Sequence, residues 1–203
     1  MNTCYIFGAA DGLPEKFERE DSDLVIAADA GIRFLEKLNI LPDIAVGDFD
    51  SLGFIPDCKE VIQHPVMKND TDTMLAVKTA LSKGYSDITI AASIGGRLDH
   101  TFANIQTLAY ISANNGTGRL IGENDSVYFL TEGEHSFAKQ DNMYFSVFSY
   151  SSFSTISLSG TKYTLNDYCL TNTFPLGVSN EILANEGVIN IKKGQIIVIF
   201  SKM

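Results

Sequence analysis

The hydrophobic positions along this chain fall into two regimes. From Cys4 to Ala113, short apolar runs alternate with apolar stripes at helical spacing. Cys4–Phe7, Leu24–Ala28, Ile44–Gly47 and Asp87–Ala92 read as strands, and Val61–Gln63 as a shorter one. Ile32, Phe34, Leu35 and Leu38 recur at helical intervals within Ala30–Asn39. The spacing also predicts a helix over Thr71–Lys83, where Leu75, Val77, Ala80 and Leu81 are apolar, Asp70 or Thr71 is available as a cap, and Gly84 follows as a stop. A longer helix is predicted over Asp99–Ala113, with Ile105 and Leu108 on one side and Asn114-Asn115-Gly116 at its end. Strands alternating with helices of roughly 10–15 residues predict a mostly parallel sheet with helices on both faces.

Beyond about Arg119 the helical period is lost. Val127–Leu130, Met143–Tyr150, Thr155–Leu158, Tyr163–Leu165, Val188–Ile191 and Gln195–Ser201 read as short strands separated by Gly, Asn and Ser clusters, with a turn expected over Asn180–Ala184. Short strands at this spacing indicate a small sandwich or barrel. The change of pattern near Gly122–Asp125 divides the chain into a Rossmann-like α/β domain, 1–122, and a small all-β domain, 123–203. No Pro- or Ser-rich linker separates them, so close packing is expected.

Composition narrows the choice of partners. The chain has 203 residues, is 45% hydrophobic and carries a formal net charge of −10. An acidic surface argues against nucleic acid, whose phosphates are met by Lys and Arg. It leaves room for a single nucleotide held through metal ions. Residues 1–110 hold 17 of the 25 acids, and 12 of those 17 are Asp, a short side chain suited to turns, caps and metal sites. Cys4, Cys58 and Cys169 form neither a disulfide framework nor a zinc spacing, so a reducing cytoplasm is expected. Met1–Phe7 lacks the basic and apolar regions of a signal peptide. No apolar run approaches the roughly 18–20 residues that span a bilayer, so no membrane partner is expected.

The polar clusters fall at the ends of the predicted strands. Asp29 follows the second strand, and Asp48 and Asp50 follow the third. Gly95-Gly96-Arg97-Leu98-Asp99-His100 follows the strand Asp87–Ala92 and opens a helix. If the strands are parallel, these points share one rim, where open α/β sheets bind ligands. Two acids one residue apart in a crevice repel each other unless a cation joins them, and hard divalent cations take oxygen ligands. Gly95 and Gly96 permit close approach of backbone N–H groups to an oxyanion, the following helix start favours anions, and Arg97 offers a fork of donors. Asp99 suits either a cap or a ligand, and His100 either phosphate binding or ordinary helix packing. Asp70, Thr71 and Asp72 suit a helix N-terminus or a second acidic arm over a metal–nucleotide complex, with Lys68 offsetting phosphate charge. His64 and His135 are isolated and suggest no role. The chain has no P-loop signature, no G-x-G-x-x-G after a strand, no H-E-x-x-H and no G-x-S-x-G.

Taken in order, these motifs resemble the thiamine pyrophosphokinase family: Ala28-Asp29-Ala30-Gly31, Pro42-Asp43, Gly47-Asp48-Phe49-Asp50-Ser51, Lys68 with Thr71-Asp72-Thr73, and Gly95–His100 with Asn104. Gly160–Leu165 and Gly177–Glu181 are similar to the family's thiamine-side segments. The resemblance implies an α/β catalytic domain followed by a β-sandwich that binds thiamine and forms a homodimer. It implies Mg²⁺-dependent transfer of pyrophosphate from ATP to the hydroxyl of thiamine. By matching position, Asp48, Asp50 and Asp72 would hold Mg²⁺. Asp29, Ser51 and Asp99 would shape the nucleotide and metal crevice. Lys68 and Arg97 would meet phosphates, with Asp70, Thr71, Gly95, Gly96, His100 and Asn104 around the nucleotide. Asp72 and Asp99 are both candidates for accepting the hydroxyl proton. Ser179 and Asn180 would contact thiamine across a dimer. The chain departs from the family pattern at Ala30, Arg33, Asn69, Asp70 and Met74, and it has no Trp to stack on thiamine. A related pyrophosphokinase acting on another heteroaromatic alcohol, such as a hydroxymethylpterin, and a non-catalytic nucleotide or thiamine sensor are the competing readings.

Overall fold

The computed structural model describes residues 2–10, 17, 19–50, 52–63 and 70–203. The chain forms two compact units, residues 1–123 and 124–203. In the first, strands β1 (Thr3–Phe7), β2 (Leu24–Ala28), β3 (Ile44–Gly47), β4 (Glu60–Gln63), β5 (Asp87–Ala91) and β6 (Thr117–Ile121) accompany helices α1 (Ile32–Lys37), α2 (Asp72–Ser82) and α3 (Leu98–Ala113). The strands pair in parallel in the order β6-β5-β1-β2-β3-β4.

Every residue of β2 and β3 is buried, as continuous apolar runs covered on both faces require. Side chains alternate between the two faces. On one face Phe7, Val25, Ala27 and Ala91 pack with Ile32 and Leu35 of α1. On the other, the register aligns Ile6 with Ile26 and Ile90, and α3 lies over β6. There a Cβ added to Gly118 would sit 2.9 Å from both Leu108 Cδ2 and Ile111 Cδ1. Gly118 is aligned with Ile88 on that same face, and α2 packs against α3. Helices therefore cover both faces of the sheet.

The helix ends differ in detail from the sequence reading. Thr71, not Asp70, caps α2, its Oγ1 accepting the Met74 N–H at 3.1 Å. The helix α3 starts at Leu98, and Asp99 is not its cap. Arg97 holds the N-cap position without a side-chain cap bond, and Asp99 lies in the first turn, where a negative charge suits the helix dipole. The helix α1 starts only at Ile32, because Asp29–Gly31 form a 3-10 turn first. Gly31 is pressed so closely on β1 that a Cβ there would lie 1.9 Å from the Phe7 carbonyl oxygen.

The second unit holds β7 (Asp125–Leu130), β8 (Gly133–Ala138), β9 (Met143–Ser149), β10 (Phe153–Ser159), β11 (Leu165–Thr171), β12 (Gly177–Asn180), β13 (Glu186–Lys193) and β14 (Ile196–Lys202). Its strands pair antiparallel, in the orders β12-β9-β14-β7 and β11-β10-β13-β8. Phe145, Val147, Ile196, Val198 and Phe200 share one core with Ile156, Leu158, Ile189 and Ile191. Two sheets closing on one core make a sandwich rather than a barrel. The strand expected at Tyr163–Leu165 begins instead at Leu165 and runs to Thr171. Nearly all of it is exposed, so it has no apolar alternation to read. In place of the turn expected over Asn180–Ala184, Asn180 pairs with Phe145 as the end of β12, Ile182 forms a bridge to Thr161, and the chain bends only at Ala184. Among the described residues, no helix is long and apolar enough to cross a membrane.

Candidate active site

The chain runs outward from β1 through β2 and β3 to β4, then returns to β5 on the other side of β1. Such a reversal opens a crevice outside the carboxyl ends of the strands. A cavity of about 380 Å³ occupies this place. It is lined by Gly8, Ala9 and Ala10 after β1, Asp29 after β2, Thr71–Thr73 at the start of α2, Ala92 and Gly95–Arg97 after β5, and His100 and Asn104 of α3. The β1 and β5 ends are stitched together beyond the ladder by Gly8 N–H to Ala91 O and Ala10 N–H to Ala92 O, both 2.9 Å. A Cβ at Gly8 would meet the Ala92 oxygen at 2.7 Å, so only glycine fits that floor.

Three non-glycine residues at this rim have left-handed backbones: Asp29 (φ 47°), Phe49 (φ 59°) and Ala92 (φ 48°). Each such residue costs of order 1–3 kcal/mol and persists only where its surroundings offset that strain. Phe49 is held by burial of its ring, only 3% exposed, between Asp48 and Asp50. Behind them, Gly47 lets β3 come close to Asp29, since a Cβ would lie 3.2 Å from the Asp29 Cα.

Asp29, Asp48 and Asp50 each bring a carboxylate oxygen within 4.8 Å of the other two. Asp48 Oδ1 also accepts the Asp50 N–H at 3.2 Å. A set of carboxylate oxygens with small spacing is the donor type that a hard divalent cation takes. Asp29 belongs both to this group and to the cavity wall, so it joins the acids to the crevice. Asp72 lines the cavity from the first turn of α2 but is not one of those three.

Across the cavity, Gly95 (φ 96°) and Gly96 (φ 63°) make two successive left-handed steps before α3. Asn104, 7% exposed, donates Nδ2 to the Ser93 oxygen at 2.8 Å. It therefore supports this loop as well as lining the crevice. Arg97 grips Asp99 with two bonds, Nη2 to Oδ2 at 2.6 Å and Nε to Oδ1 at 3.2 Å. The hydrogen bond from Arg97 holds the Asp99 carboxyl below the usual range, and the same bond raises the guanidinium. Both side chains are exposed. His100 lines the cavity and donates its N–H to Asp99 Oδ1 at 3.0 Å.

Other expected site residues are placed elsewhere. Asp70 pairs with Lys78 at 2.7 Å and does not line the cavity. Ser51, Lys68, Asn69 and His64 lie outside the described residues. In the second unit, Asn180 is 5% exposed. Its Oδ1 accepts the N–H groups of Tyr163 and Glu181, both at 2.9 Å, and its Nδ2 donates to the Tyr163 oxygen at 2.8 Å. Asn180 is thus a buried clamp, whereas its neighbour Ser179 is exposed in a left-handed conformation (φ 58°). The wall made by Gly8–Ala10 and Ala92 was not foreseen. The one signal for it in the sequence is the glycine that closes the first strand.

Comparison with known proteins gives the chain's relatives. Residues 17–117 match the family model described as thiamin pyrophosphokinase, catalytic domain, and residues 134–196 match thiamin pyrophosphokinase, vitamin B1 binding domain. The chain is 32% identical over 190 residues to a thiamine pyrophosphokinase of Bacillus subtilis (strain 168), covering 90% of this chain and 89% of that protein. It superposes on a crystal structure of a thiamine pyrophosphokinase from Bacillus subtilis with a TM-score of 0.90, 30% identity and full coverage of both chains. It superposes on a thiamin pyrophosphokinase family protein from Enterococcus faecalis with a TM-score of 0.87, 26% identity and the same coverage. With both domain models matched in order and a relative of this identity aligned along nearly its whole length, the chain belongs to the thiamin pyrophosphokinase family.

Proposed function

We propose that the protein transfers the β,γ-pyrophosphoryl group of ATP to the hydroxyl of thiamine, giving thiamine diphosphate and AMP. The observation that carries this reading is that Asp29, grouped with Asp48 and Asp50, shares one crevice at the strand-order reversal with the Gly95-Gly96-Arg97 loop. Acids for a cation and N–H donors for an anion on one rim suit a metal-bound polyphosphate.

Asp29, Asp48 and Asp50 fit Mg²⁺ by their chemistry, as oxygen-only donors, and Asp72 stands on the same crevice. When bound, Mg²⁺ neutralises phosphate charge and favours displacement at phosphorus. The residues of the chain do the rest. The loop of Gly95 and Gly96 holds phosphate oxygens, and Arg97 turns its remaining donors to them. The thiamine oxygen forms its bond to the β-phosphorus while the bond from that phosphorus to the bridging α,β-oxygen breaks, and AMP departs. The hydroxyl proton passes to a carboxylate. Asp72 and Asp99 are the two candidate acceptors on this crevice, and Arg97 stabilises the charged form of Asp99. Positioning the two oxygens in line supplies much of the rate.

Ser179, exposed beside the Asn180 clamp, is the thiamine contact, and Asn180 shapes the segment that bears it. Exposed Tyr163, Phe174, Leu176, Val178 and Leu183 are an apolar surface suited to a second copy of the chain, so the working form is a homodimer. ATP-dependent chemistry and three free cysteines suit the cytoplasm.

An acceptor screen tests the activity. With ATP and Mg²⁺, thiamine should give AMP over many turnovers per protomer, and a hydroxymethylpterin should give none. Absence of thiamine-dependent AMP rejects the reading. A single turnover would mark a sensor. Sedimentation of the purified protein should give a dimer, and a monomer would remove that part.

A further inference from the structure

The crevice loop between β5 and α3 is held from behind by a residue outside the site as drawn so far. Thr101 Oγ1 accepts the Gly95 N–H at 3.2 Å. Its own proton lies within reach of two carbonyls, Gly95 O and Arg97 O, both at 3.4 Å. One turn further along α3, buried Asn104 donates to Ser93 O at 2.8 Å. The helix thus fastens the loop at both ends of the run Ser93–Arg97. Threonines within helices often bond back to the carbonyl four residues earlier, and the bond to Arg97 O is of that kind. The bond from Gly95 N–H is not, because it reaches outside the helix into the loop.

The loop needs such a fastening. Gly95 and Gly96 both have left-handed backbones, and glycine gains more freedom than any other residue when it is released. An unfastened pair of glycines would sample many shapes, and ligand binding would have to order it each time. With the Gly95 N–H engaged by Thr101, the N–H groups of Gly96 and Arg97 take no acceptor among the described residues. They are left for a ligand on the cavity side, where both residues form the wall.

We propose that Thr101 is a positioning residue for the nucleotide: its hydroxyl pre-sets the Gly95–Arg97 loop in the shape that receives polyphosphate. This rests on the reading of the crevice as the ATP site. Thr101 touches no substrate and takes no part in bond making. It acts on affinity through the loop.

The experiment compares wild type, Thr101→Val, Thr101→Ala and Thr101→Ser by equilibrium titration with Mg²⁺–ATP, by steady-state kinetics and by amide exchange of the ligand-free protein. Loss of one neutral hydrogen bond corresponds to roughly a 2- to 10-fold effect. Thr101→Val should weaken ATP binding and raise the KM for ATP by about that factor, with kcat and the KM for thiamine changed by less than about two-fold. Amides of residues 95–97 should exchange faster in Thr101→Val. Thr101→Ser, which keeps the hydroxyl, should restore both properties. Thr101→Ala serves as a second hydroxyl-free variant should the valine not fold. Unchanged ATP affinity in a folded hydroxyl-free variant overturns the role of Thr101 and leaves the site intact. An equal loss in kcat and both KM values, unrelieved by serine, shows a merely structural residue and also overturns it. Wild-type protein that binds no Mg²⁺–ATP overturns the underlying reading and the proposal together.

Discussion

Strand β3 has an aspartate at each end, and the two are put to opposite use. Asp43, just before the strand, is enclosed by cations and donors: Arg19 Nη2 at 2.8 Å, Lys59 Nζ at 2.7 Å and the Val25 N–H at 3.1 Å. Asp48, just after it, is gathered with Asp29 and Asp50. The same contrast runs along the sheet. At the amino edge Asp23 accepts the N–H groups of Thr3 and Glu20, and Asp87 accepts the Thr3 hydroxyl and faces Arg119. Those acids are matched within the fold and tie neighbouring strands together. At the carboxyl edge acid is set beside acid on a left-handed backbone, an arrangement that gains from a bound cation. Position relative to the strand ends, not residue type, separates the aspartates that tie strands together from those gathered at the crevice.

Substitution at the two ends of β3 is the sharpest way to break this contrast. Asp48→Asn or Asp50→Asn should lower kcat by roughly a hundred- to a thousand-fold and leave the unfolding midpoint without Mg²⁺ unchanged or higher, since repulsion is relieved. Kinetics and thermal melts on the same samples measure both, and a joint loss of fold and turnover would assign these acids to structure. Next in size is the effect of the ion. Mg²⁺ at a hundredfold excess over its dissociation constant should stabilise wild type by about 2.7 kcal/mol, seen as a raised melting midpoint, and Asp48→Asn should erase that response. An equal response in the variant would place the cation elsewhere. Asp43→Asn should do the reverse of Asp48→Asn, costing about 1–2 kcal/mol of stability with kcat per folded molecule preserved, as denaturant titration beside kinetics will reveal.

The smallest effect is one of pH. Partial burial alone raises the Asp43 pKa, but the Lys59 and Val25 hydrogen bonds and the charges of Arg19 and Lys59 outweigh it and leave the pKa lowered. A group with a depressed folded pKa contributes stability above its unfolded value, about 3.9, and loses it as pH falls through the folded one. Wild type should therefore lose more stability than Asp43→Asn between about pH 4 and lower values. Parallel stability curves for the two proteins would contradict the assignment.

Much of the catalytic unit was legible because its strands are buried on both faces and its helices are amphipathic, so Leu24–Ala28 and Thr71–Lys83 announce themselves. The second unit was less legible where strands are exposed. Neither β8 nor β11 carries an inward apolar alternation, and β12 is short and set by pairing with β9. Within the site, Asp29, Asp48, Asp50 and the Gly95-Gly96-Arg97 run stood out as polar residues placed directly after apolar runs. Thr101 did not, since a threonine in a helix has the same local signature whether or not its hydroxyl reaches a loop. Asp70 was drawn toward the nucleotide by its neighbours in sequence, but its carboxylate is taken up by Lys78 of α2 at 2.7 Å, a pairing that spans eight positions and has no signature in the local pattern.

By itself, the sequence determined the alternation of strand and helix, the acidic and glycine-rich character of the strand ends, and the family resemblance, because these depend on local periodicity and residue type. Only the tertiary structure decided which acids meet. The order β6-β5-β1-β2-β3-β4 makes β1 the point of reversal and sets the β2 and β5 ends on either side of it. Close backbone approach at Gly47 then brings Asp29 to Asp48 and Asp50. Contacts of this kind join residues far apart in the chain, and strand order and packing set them, neither of which has a local signature in the sequence.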